Sequence, residues 1–465
     1  MTVAPAHPKA FAVWFKDLDR WDPASFQRIV WKWPKSLMQP IGNLLRPRKE
    51  KVDRQQHRFS DLQPITIHFD GSVDKRKVDA NREYTMDLFF ACPGDVIVAK
   101  IDLKNGAVGL APDWSNMAVT GHFAVYEPDR SKILPEYFHR IVQADFFKEH
   151  LWRNKVGAEG RKEVKLDFFE AQTIPVPTLS VQRAIVAHWR QAYEAAAKSR
   201  KTIAELEAEI PLAIYKALGV PRPKIEEPLP QCFVLWWKEL ERWSFNYLAR
   251  ARQGLLGFTK SRYPICPLSE HLLETMNGYC IKPVQTSTPH KMLKLSALTP
   301  AGLDIQESKF VKVSDRIAER FHICKGDLLI CRSVGSYGHV AKSALAEEDK
   351  PDILFPDIII RARFCESLLP EFAREIIQTP LGRSYFQSNA RTAVGMWKIG
   401  AEDIRNFPIP VPPLEVQHEI VDMVNRQRVR IADERKAMEA QQAQAARDVE
   451  AMILGTKPVP ILEAH

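Results

Sequence analysis

The sequence lacks the features that mark several common classes of protein. No apolar run approaches the ~20 residues needed to cross a bilayer, and the N-terminus has no apolar segment typical of a signal peptide. The seven cysteines form no Cys-x-x-Cys pair and no cluster with histidines. We therefore expect a cytoplasmic protein without membrane contact, with reduced and mostly buried thiols and no metal site.

Catalytic motifs are missing as well. The sequence has no Asn-Pro-Pro-Tyr segment of a methyltransferase, no GxxxxGK[ST] phosphate loop and no GxSxG nucleophile elbow. The acidic stretch PDILFPD at 351–357 is not followed by the acidic-x-Lys pair of a nuclease. The chain is therefore predicted not to be an enzyme and to hold no cofactor of its own.

What the sequence does contain is an internal duplication. Residues 173–186 read TIPVPTLSVQRAIV, and residues 408–421 read PIPVPPLEVQHEIV, 235 positions later. Three further pairs of segments occur in the same order in both halves: FKDLDRW (15–21) with WKELERW (237–243), GDVIVAKI (94–101) with GDLLICRS (326–333), and LPEYFHRIV (134–142) with LPEFAREII (369–377). A repeat of this length indicates a duplicated domain and not an array of short repeats.

Each proline-rich motif leads into a long segment with the pattern of a helix, Leu179–Leu218 and Leu414–Leu454. Alternating prolines keep the preceding chain extended. Gly219 and Gly455 are expected to end the helices, and Pro211 to kink the first or end its regular part. Residues spaced alternately four and three apart form a heptad seam in each: Ile185, Trp189, Ala192, Ala196, Ser199, Ile203, Leu206, Ile210 and Ala213, then Ile420, Val424, Gln427, Ile431, Glu434, Met438, Gln441 and Ala445.

The seams predict that the two helices pair with each other. The alternative is that each helix packs on its own half as an ordinary amphipathic helix. Before each helix, short apolar strands follow a Gly-Asp turn and precede a helical segment that begins at Leu-Pro-Glu. The predicted fold class is therefore α/β (mixed α+β), with two duplicated domains, each followed by a long helix, and the two helices pairing as an antiparallel coiled coil.

The repeats also suggest domain boundaries. They predict a first domain at 1–175, a first long helix at 176–220, a proline-rich linker at 221–230, a second domain at 231–410, a second long helix at 411–455 and a C-terminal tail at 456–465.

The net charge of +9 is weak evidence for a polyanionic partner. Its distribution is more informative, because residues 28–58 carry nine Lys or Arg against two acidic residues. Two interpretations of this segment stay open: a solvated loop, ordered or disordered, and an arm that contacts phosphates.

Several of these motifs resemble a known family. The Gly-Asp strand leading into RSVGSYGHVA (332–341), its GAVGLAP variant (106–112) and the IPxPxL…Q motif before each helix resemble signatures of the specificity (S) subunit of type I restriction–modification systems. The resemblance covers residues 21–454. Thr178 departs from the pattern, since Pro413 stands at the matching place, and the residues before Trp21 have no assigned role.

The resemblance implies a non-catalytic subunit with two target recognition domains, which reads a bipartite double-stranded DNA target and holds methyltransferase subunits on its helices. Restriction and translocase subunits are further partners that it leaves open. S-adenosylmethionine, and ATP with magnesium, are then expected on partner subunits. Two other interpretations remain: a recognition or scaffold subunit of another phage-defence system, and a DNA-independent coiled-coil adaptor.

Two matching sets of basic and polar loops are the candidate DNA-binding residues, because loop donors and acceptors read base edges while cations bind phosphates. For any one of them, the alternative is a solvent-facing loop residue, or a core residue in the case of the tryptophan. The candidates are Lys100, Lys104, Asn105, Arg153, Lys155, Arg161 and Lys162 in the first half, and Arg332, Ser333, Ser336, Tyr337, Arg391, Trp397 and Lys398 in the second.

Overall fold

The computed structural model describes residues 29–77, 85–156, 163–223, 245–253, 255–299, 302–393 and 395–460, with residues 232, 234, 236 and 237. Several sequence predictions lie outside these residues: the repeat at 15–21, most of its counterpart at 237–243, most of the linker at 221–230, and the candidates Arg161 and Lys162.

The chain forms two compact units. The first unit comprises Met1–Ser199 and Lys436–His465, and the second comprises Arg200–Arg435. Strands and short helices of the first unit are β1 (Met38–Pro40), β2 (Leu45–Arg48), β3 (Gln63–Ile67), β4 (Val73–Lys75), β5 (Leu88–Ala91), β6 (Val96–Ala99), β7 (Val108–Leu110), β8 (Met117–Thr120), β9 (Phe123–Pro128), α1 (Pro135–Gln143), α2 (Asp145–Arg153), α3 (Leu166–Ala171) and β10 (Thr173–Pro175). Helix α4 (Leu179–Leu218) begins in the first unit and ends in the second.

The second unit repeats this order of elements with additions. Its elements are α5 (Phe245–Arg252), β11 (Ile265–Pro267), β12 (Leu272–Asn277), β13 (His290–Leu293), β14 (Leu298–Thr299), β15 (Gly302–Leu303), β16 (Ser308–Val311), α6 (Asp315–Phe321), β17 (His322–Ile323), β18 (Leu328–Cys331), β19 (Ser333–Val334), β20 (Ser343–Leu345), β21 (Lys350–Leu354), β22 (Ile359–Phe364), α7 (Pro370–Gln378), α8 (Pro380–Asn389), β23 (Arg391–Ala393), β24 (Met396–Lys398), α9 (Ala401–Arg405) and β25 (Pro408–Pro410). Helix α10 (Leu414–Leu454) begins in the second unit and ends in the first.

The sheets confirm the duplication. One four-stranded antiparallel sheet has the order β2-β9-β6-β7 in the first unit and β12-β22-β18-β20 in the second. A second sheet has the order β4-β3-β8-β5 and β16-β13-β21-β17, and its central pair is parallel in both units. The Gly-Asp segments supply β6 and β18, whose apolar residues are almost all buried. The mixed α/β class predicted from the sequence is therefore confirmed.

The repeated proline motif forms the same structure twice. Its extended part is β10 or β25, paired antiparallel with β1 or β11 respectively. Gln182 and Gln417, at the start of the two long helices, are fully buried. The Gln182 side chain accepts a hydrogen bond from Leu134 N at 2.8 Å and donates to the carbonyls of Lys132 and Pro177 at 2.8 Å.

Gln417 makes the matching set of bonds in the second unit. It accepts from Leu369 N at 2.8 Å and donates to the carbonyls of Ser367 and Pro412 at 3.0 and 2.9 Å. Each glutamine therefore joins three backbone groups: a carbonyl just after the proline strand, and a carbonyl and an amide at the start of the Leu-Pro-Glu segment. Buried backbone groups need such partners, and this requirement explains why the motif is repeated together with its glutamine.

The long helices have the bounds that the sequence predicts, and they pack against each other. In the first unit, Ile185 from the start of α4 shares a buried cluster with Ile453 from the end of α10. In the second unit, Leu218 from the end of α4 shares a cluster with Ile420 from the start of α10, and Arg435 donates to Glu207 at 3.0 Å. The antiparallel pairing is confirmed.

The seam is only partly as predicted. Buried seam residues are Ile185, Ala196, Ile203, Ile420, Val424, Ile431 and Ala445. Near the end of α10, Gln441 is exposed and the neighbouring Gln442 is half-buried instead. The spacing is therefore four residues from Glu434 to Met438 and again four from Met438 to Gln442. A straight helix has 3.6 residues per turn, so its buried face drifts away from a strict 3.5-residue repeat.

One of the two outcomes predicted for Pro211 does not occur, whereas both glycines end the helices as predicted. Pro211 lies inside helix α4, which continues to Leu218, so the proline does not end the helix. Gly219 and Gly455 follow the helices with φ of 64° and 79°, a conformation that glycine adopts without strain. The two glycines therefore end the helices as the sequence predicts.

The basic segment at 28–58 is, in its described part, neither a disordered loop nor a free arm. It contains β1 and β2, and several of its cations are paired with acids of the first unit. Arg48 Nε lies 2.7 Å from the buried Asp95, and Lys51 Nζ lies 2.9 Å from Asp87. The Asp95 carboxylate raises the pKa of Arg48. The pair of Arg48 with the buried Asp95 therefore stabilises the fold, whereas Lys51 pairs at the surface and Arg46 and Lys49 are exposed.

The cysteine prediction is correct in part. All seven cysteines are free, but only Cys331 is buried, while Cys232 and Cys280 are exposed. Short strands and turns place the other thiols near the surface, which composition does not reveal. None of the described helices is long and apolar enough to cross a membrane.

Candidate nucleic-acid interface

In the second unit, the two candidate loops form one small sheet. Strand β18 is buried throughout, and the chain continues into β19, which pairs with β24. Strands β23 and β24 form a hairpin in which β24 is central, so the order is β19-β24-β23. The sequence predicts that these loops correspond to those of the first half, and the fold shows that they also lie together.

The turn of the hairpin is shaped by Gly395. Its φ is 73°, and a Cβ placed there would meet no atom within 4 Å. Glycine is therefore suited to this position by its backbone conformation, as in tight hairpin turns, and not by crowding. The open space around it leaves the tip accessible to a ligand.

Two exposed cations lie directly opposite each other on this hairpin. Arg391 pairs with Lys398 across the antiparallel strands, so their side chains project from the same face. Among the described residues, no carboxylate lies within ion-pairing distance of either cation. Like charges opposite one another destabilise a sheet, and an anionic ligand removes that cost.

An aromatic pair supports the same sheet. The rings of Tyr337 and Trp397 meet edge to face with centroids 4.7 Å apart, and the Tyr337 hydroxyl donates to the Gln387 carbonyl at 3.1 Å. Trp397 is half-buried and packs partly on the core. It thus holds the hairpin against the turn Tyr337–His339 while leaving part of its ring exposed.

The remaining candidates of the second unit differ in how far their side chains are exposed to solvent. Ser336 is exposed, whereas Ser333 is only 6% exposed and pairs in β19 with Lys398. The Arg332 guanidinium is half-buried and donates to the Asp357 carbonyl at 3.2 Å. Ser333 is thus placed to support the sheet, not to reach a base, and Arg332 holds the neighbouring loop.

In the first unit, the turn that carries Lys104 and Asn105 lies beside α2, and Arg153 and Lys155 lie at the end of this helix. The turn Leu103–Asn105, which carries Lys104, packs closely against this helix. A Cβ on the following Gly106 would lie only 3.0 Å from Lys148 Cε. Asn105 donates to Asp102 at 3.1 Å, so its amide is used within the turn. Lys100 Nζ, just after β6, donates to the Gly121 carbonyl at 2.7 Å in the turn between β8 and β9.

The end of α2 carries the other candidates of the first unit. Arg153 forms an ion pair with Glu149 one helical turn earlier. Lys155 Nζ lies 3.0 Å from the ring centroid of Trp152. A backbone bridge between Val156 and Glu163 then brackets the loop that contains Arg161 and Lys162, which lie outside the described residues.

Trp152 is not among the candidates predicted from the sequence. It is 53% exposed beside Lys155, and an exposed aromatic ring with a neighbouring cation can contact a nucleic acid by stacking. The signal was present in the sequence as LWRNK at 151–155, an aromatic residue among basic ones.

Comparison with known proteins indicates the same family as the sequence motifs. No family model matches the chain. The chain is 26% identical over 290 residues to the type I restriction enzyme EcoKI specificity subunit of Escherichia coli strain K12, a match that covers 61% of this chain. The matched region spans 57% of that subunit. The resemblance to type I specificity subunits indicated by the sequence is confirmed.

A solved structure shares the fold. A chain from work on the complex assembly and conformational transition of the type I restriction–modification system has a TM-score of 0.54 at 16% identity, covering 90% of this chain and 96% of that one. The HsdS subunit from Thermoanaerobacter tengcongensis has a TM-score of 0.42 at 16% identity, covering 90% and 97% of the two chains.

Proposed function

We propose that the chain is the sequence-specific DNA-binding specificity subunit of a type I restriction–modification complex. In this proposal each unit reads one half of a bipartite double-stranded DNA target. The duplicated sheets support it, because they give each unit the same scaffold with its own loop set. The similarity to the EcoKI specificity subunit supports it independently.

The observation that carries the proposal is the cation pair Arg391 and Lys398 on an exposed hairpin. An anion placed between or above two opposed cations relieves their repulsion, and DNA phosphates or guanine edges supply acceptors for both. A DNA-independent adaptor gives no reason for this arrangement.

The proposed partners are methyltransferase subunits, which the long helices hold. Helices α4 and α10 are continuous over 40 and 41 residues, and much of their outer surface is polar and exposed. Restriction and translocase subunits are further candidates for the same assembly. Catalysis would then belong to those subunits, with S-adenosylmethionine, and ATP with magnesium, bound by them, in a cytoplasmic complex.

We expect the purified chain to bind DNA and to leave it chemically unchanged. Binding should weaken steeply with salt, because each phosphate contact releases counterions. An electrophoretic shift at two salt concentrations measures this, and transfer of a labelled methyl group from S-adenosylmethionine measures catalysis. Methyl transfer by the chain alone, free of contaminating methyltransferase, would contradict a non-catalytic subunit.

The same electrophoretic shift experiment distinguishes the DNA-reading proposal from the DNA-independent adaptor. If neither the chain nor its complex with the methyltransferase subunits binds DNA at low salt, the adaptor is correct and the DNA-reading proposal is wrong.

A further inference from the structure

A cluster of metal-binding side chains in the second unit includes none of the candidate DNA-binding residues. Cys266 is in β11, and the tight turn Leu268–His271 follows directly. This turn brings Glu270 and His271 back toward the thiol, and the ligand atoms of all three residues lie within 4.8 Å of one another. Cys266 Sγ is 3.2 Å from His271 Nε2.

We propose that Cys266, Glu270 and His271 bind a Zn²⁺ ion, with water as the fourth ligand. A thiolate, an imidazole and a carboxylate are the ligand types that zinc takes in proteins, and three protein ligands with an open position are a known arrangement. With Zn–S near 2.3 Å and Zn–N near 2.0 Å, a tetrahedral site separates sulfur and nitrogen by roughly 3.5 Å. The observed contact needs only a small adjustment.

The histidine is held in the orientation that such a site requires. Its Nδ1 lies 2.7 Å from the hydroxyl of Ser367, so Nε2 points toward Cys266. A hydrogen bond at the second ring nitrogen fixes the tautomer and the ring direction of a metal-binding histidine. Ser367 is therefore a positioning residue.

The duplicated unit shows that the fold does not require this cluster. In the first unit, Gln39 pairs with Ile174 as Cys266 pairs with Ile409 in the second. Leu44 takes the place of His271, since its carbonyl accepts the amide of Asp129 at 2.8 Å, just as the His271 carbonyl accepts that of Cys365 at 3.0 Å. The same strand and turn thus form without any of the ligands.

A second cysteine–histidine contact provides a control. Cys324 Sγ lies 3.1 Å from His322 Nε2, but the Arg363 guanidinium also lies 3.1 Å from that sulfur. A cation at this distance opposes the binding of a metal ion. The two cysteine–histidine contacts are therefore similar in distance, but Cys324 lies beside a guanidinium group, whereas Cys266 lies beside a carboxylate.

The test is titration of the full-length chain with Co²⁺, followed by the thiolate-to-cobalt charge-transfer absorption. We expect one ion per chain, complete displacement by Zn²⁺, loss of the band in Cys266→Ser and in His271→Ala, and no change in Cys324→Ser. Ser367→Ala should weaken binding about 10- to 100-fold. A missing band, or a band that persists in folded Cys266→Ser, would overturn the proposal.

A measurement on the unaltered chain makes the result independent of variant folding. Zn²⁺ should slow alkylation of Cys266 by iodoacetamide and leave the exposed Cys280 equally reactive, as measured by peptide mass spectrometry. Equal alkylation of Cys266 with and without Zn²⁺ would contradict the site. The outcome does not depend on DNA binding.

Discussion

In the Gln417→Leu variant, the junction between the second unit and α10 should lose roughly 3–5 kcal/mol of stability. The substitution removes the fully buried amide side chain that bonds the amide of Leu369 and the carbonyls of Ser367 and Pro412, of which Pro412 is buried, Leu369 half-buried and Ser367 exposed. A buried polar group that loses its hydrogen bond costs about 1–3 kcal/mol. The loss of the bonds to Leu369 and Pro412 therefore accounts for most of the expected effect.

Hydrogen exchange measures this effect locally, which matters because a chain of two units need not unfold in one step. The amide of Leu369 and the first turn of α10 should exchange faster in Gln417→Leu. Gln441→Leu is the matched control, since Gln441 is exposed on the same helix, and such a change usually stays within about 0.5 kcal/mol. Equal protection of Leu369 in wild type and Gln417→Leu would show that the glutamine does not stabilise the junction.

Replacing Arg391 by alanine should weaken DNA binding by about 5- to 150-fold at one half-site. This range corresponds to the roughly 1–3 kcal/mol of a good base contact. The free protein should be at least as stable as the wild type, because the variant removes one of two like charges that face each other. Weaker binding together with unchanged or higher stability distinguishes a DNA contact from a structural role.

The control for this experiment is Arg316→Ala. Arg316 is an exposed cation on α6 of the same unit, so its loss changes the net charge equally. Fluorescence anisotropy of the complex with its methyltransferase subunits should show the large effect only for Arg391→Ala. Equal losses for the two variants would mean that only overall charge matters, and the hairpin would not be a reader.

The parts of the fold that depend on local pattern were predictable from the sequence. The bounds of α4 and α10 follow from the proline motif at one end and from Gly219 or Gly455 at the other. The role of Gln182 was not predictable, because its partner Leu134 lies 48 residues earlier and meets it only after the sheet has formed. A repeated glutamine shows that something is shared, but not what it bonds.

The sequence predicts which loops form the candidate site, but not how their strands pair or which side chains face each other. Ser333 looks like a loop residue in sequence, but β19 pairs with β24 and buries it. The same non-local pairing places Arg391 opposite Lys398, which gives the site its main electrostatic feature. Cys266 and His271 likewise seemed unrelated until the turn between them brought their side chains together.

The central claim is that two duplicated units read two halves of one DNA target. Mapping methylated bases across the genome of cells that carry this chain with its methyltransferase subunits tests it most directly. We expect a single bipartite motif with a non-specific spacer of fixed length, and in Arg391→Ala cells a motif relaxed in one half only. A continuous motif, or the same motif in cells without this chain, would contradict the account.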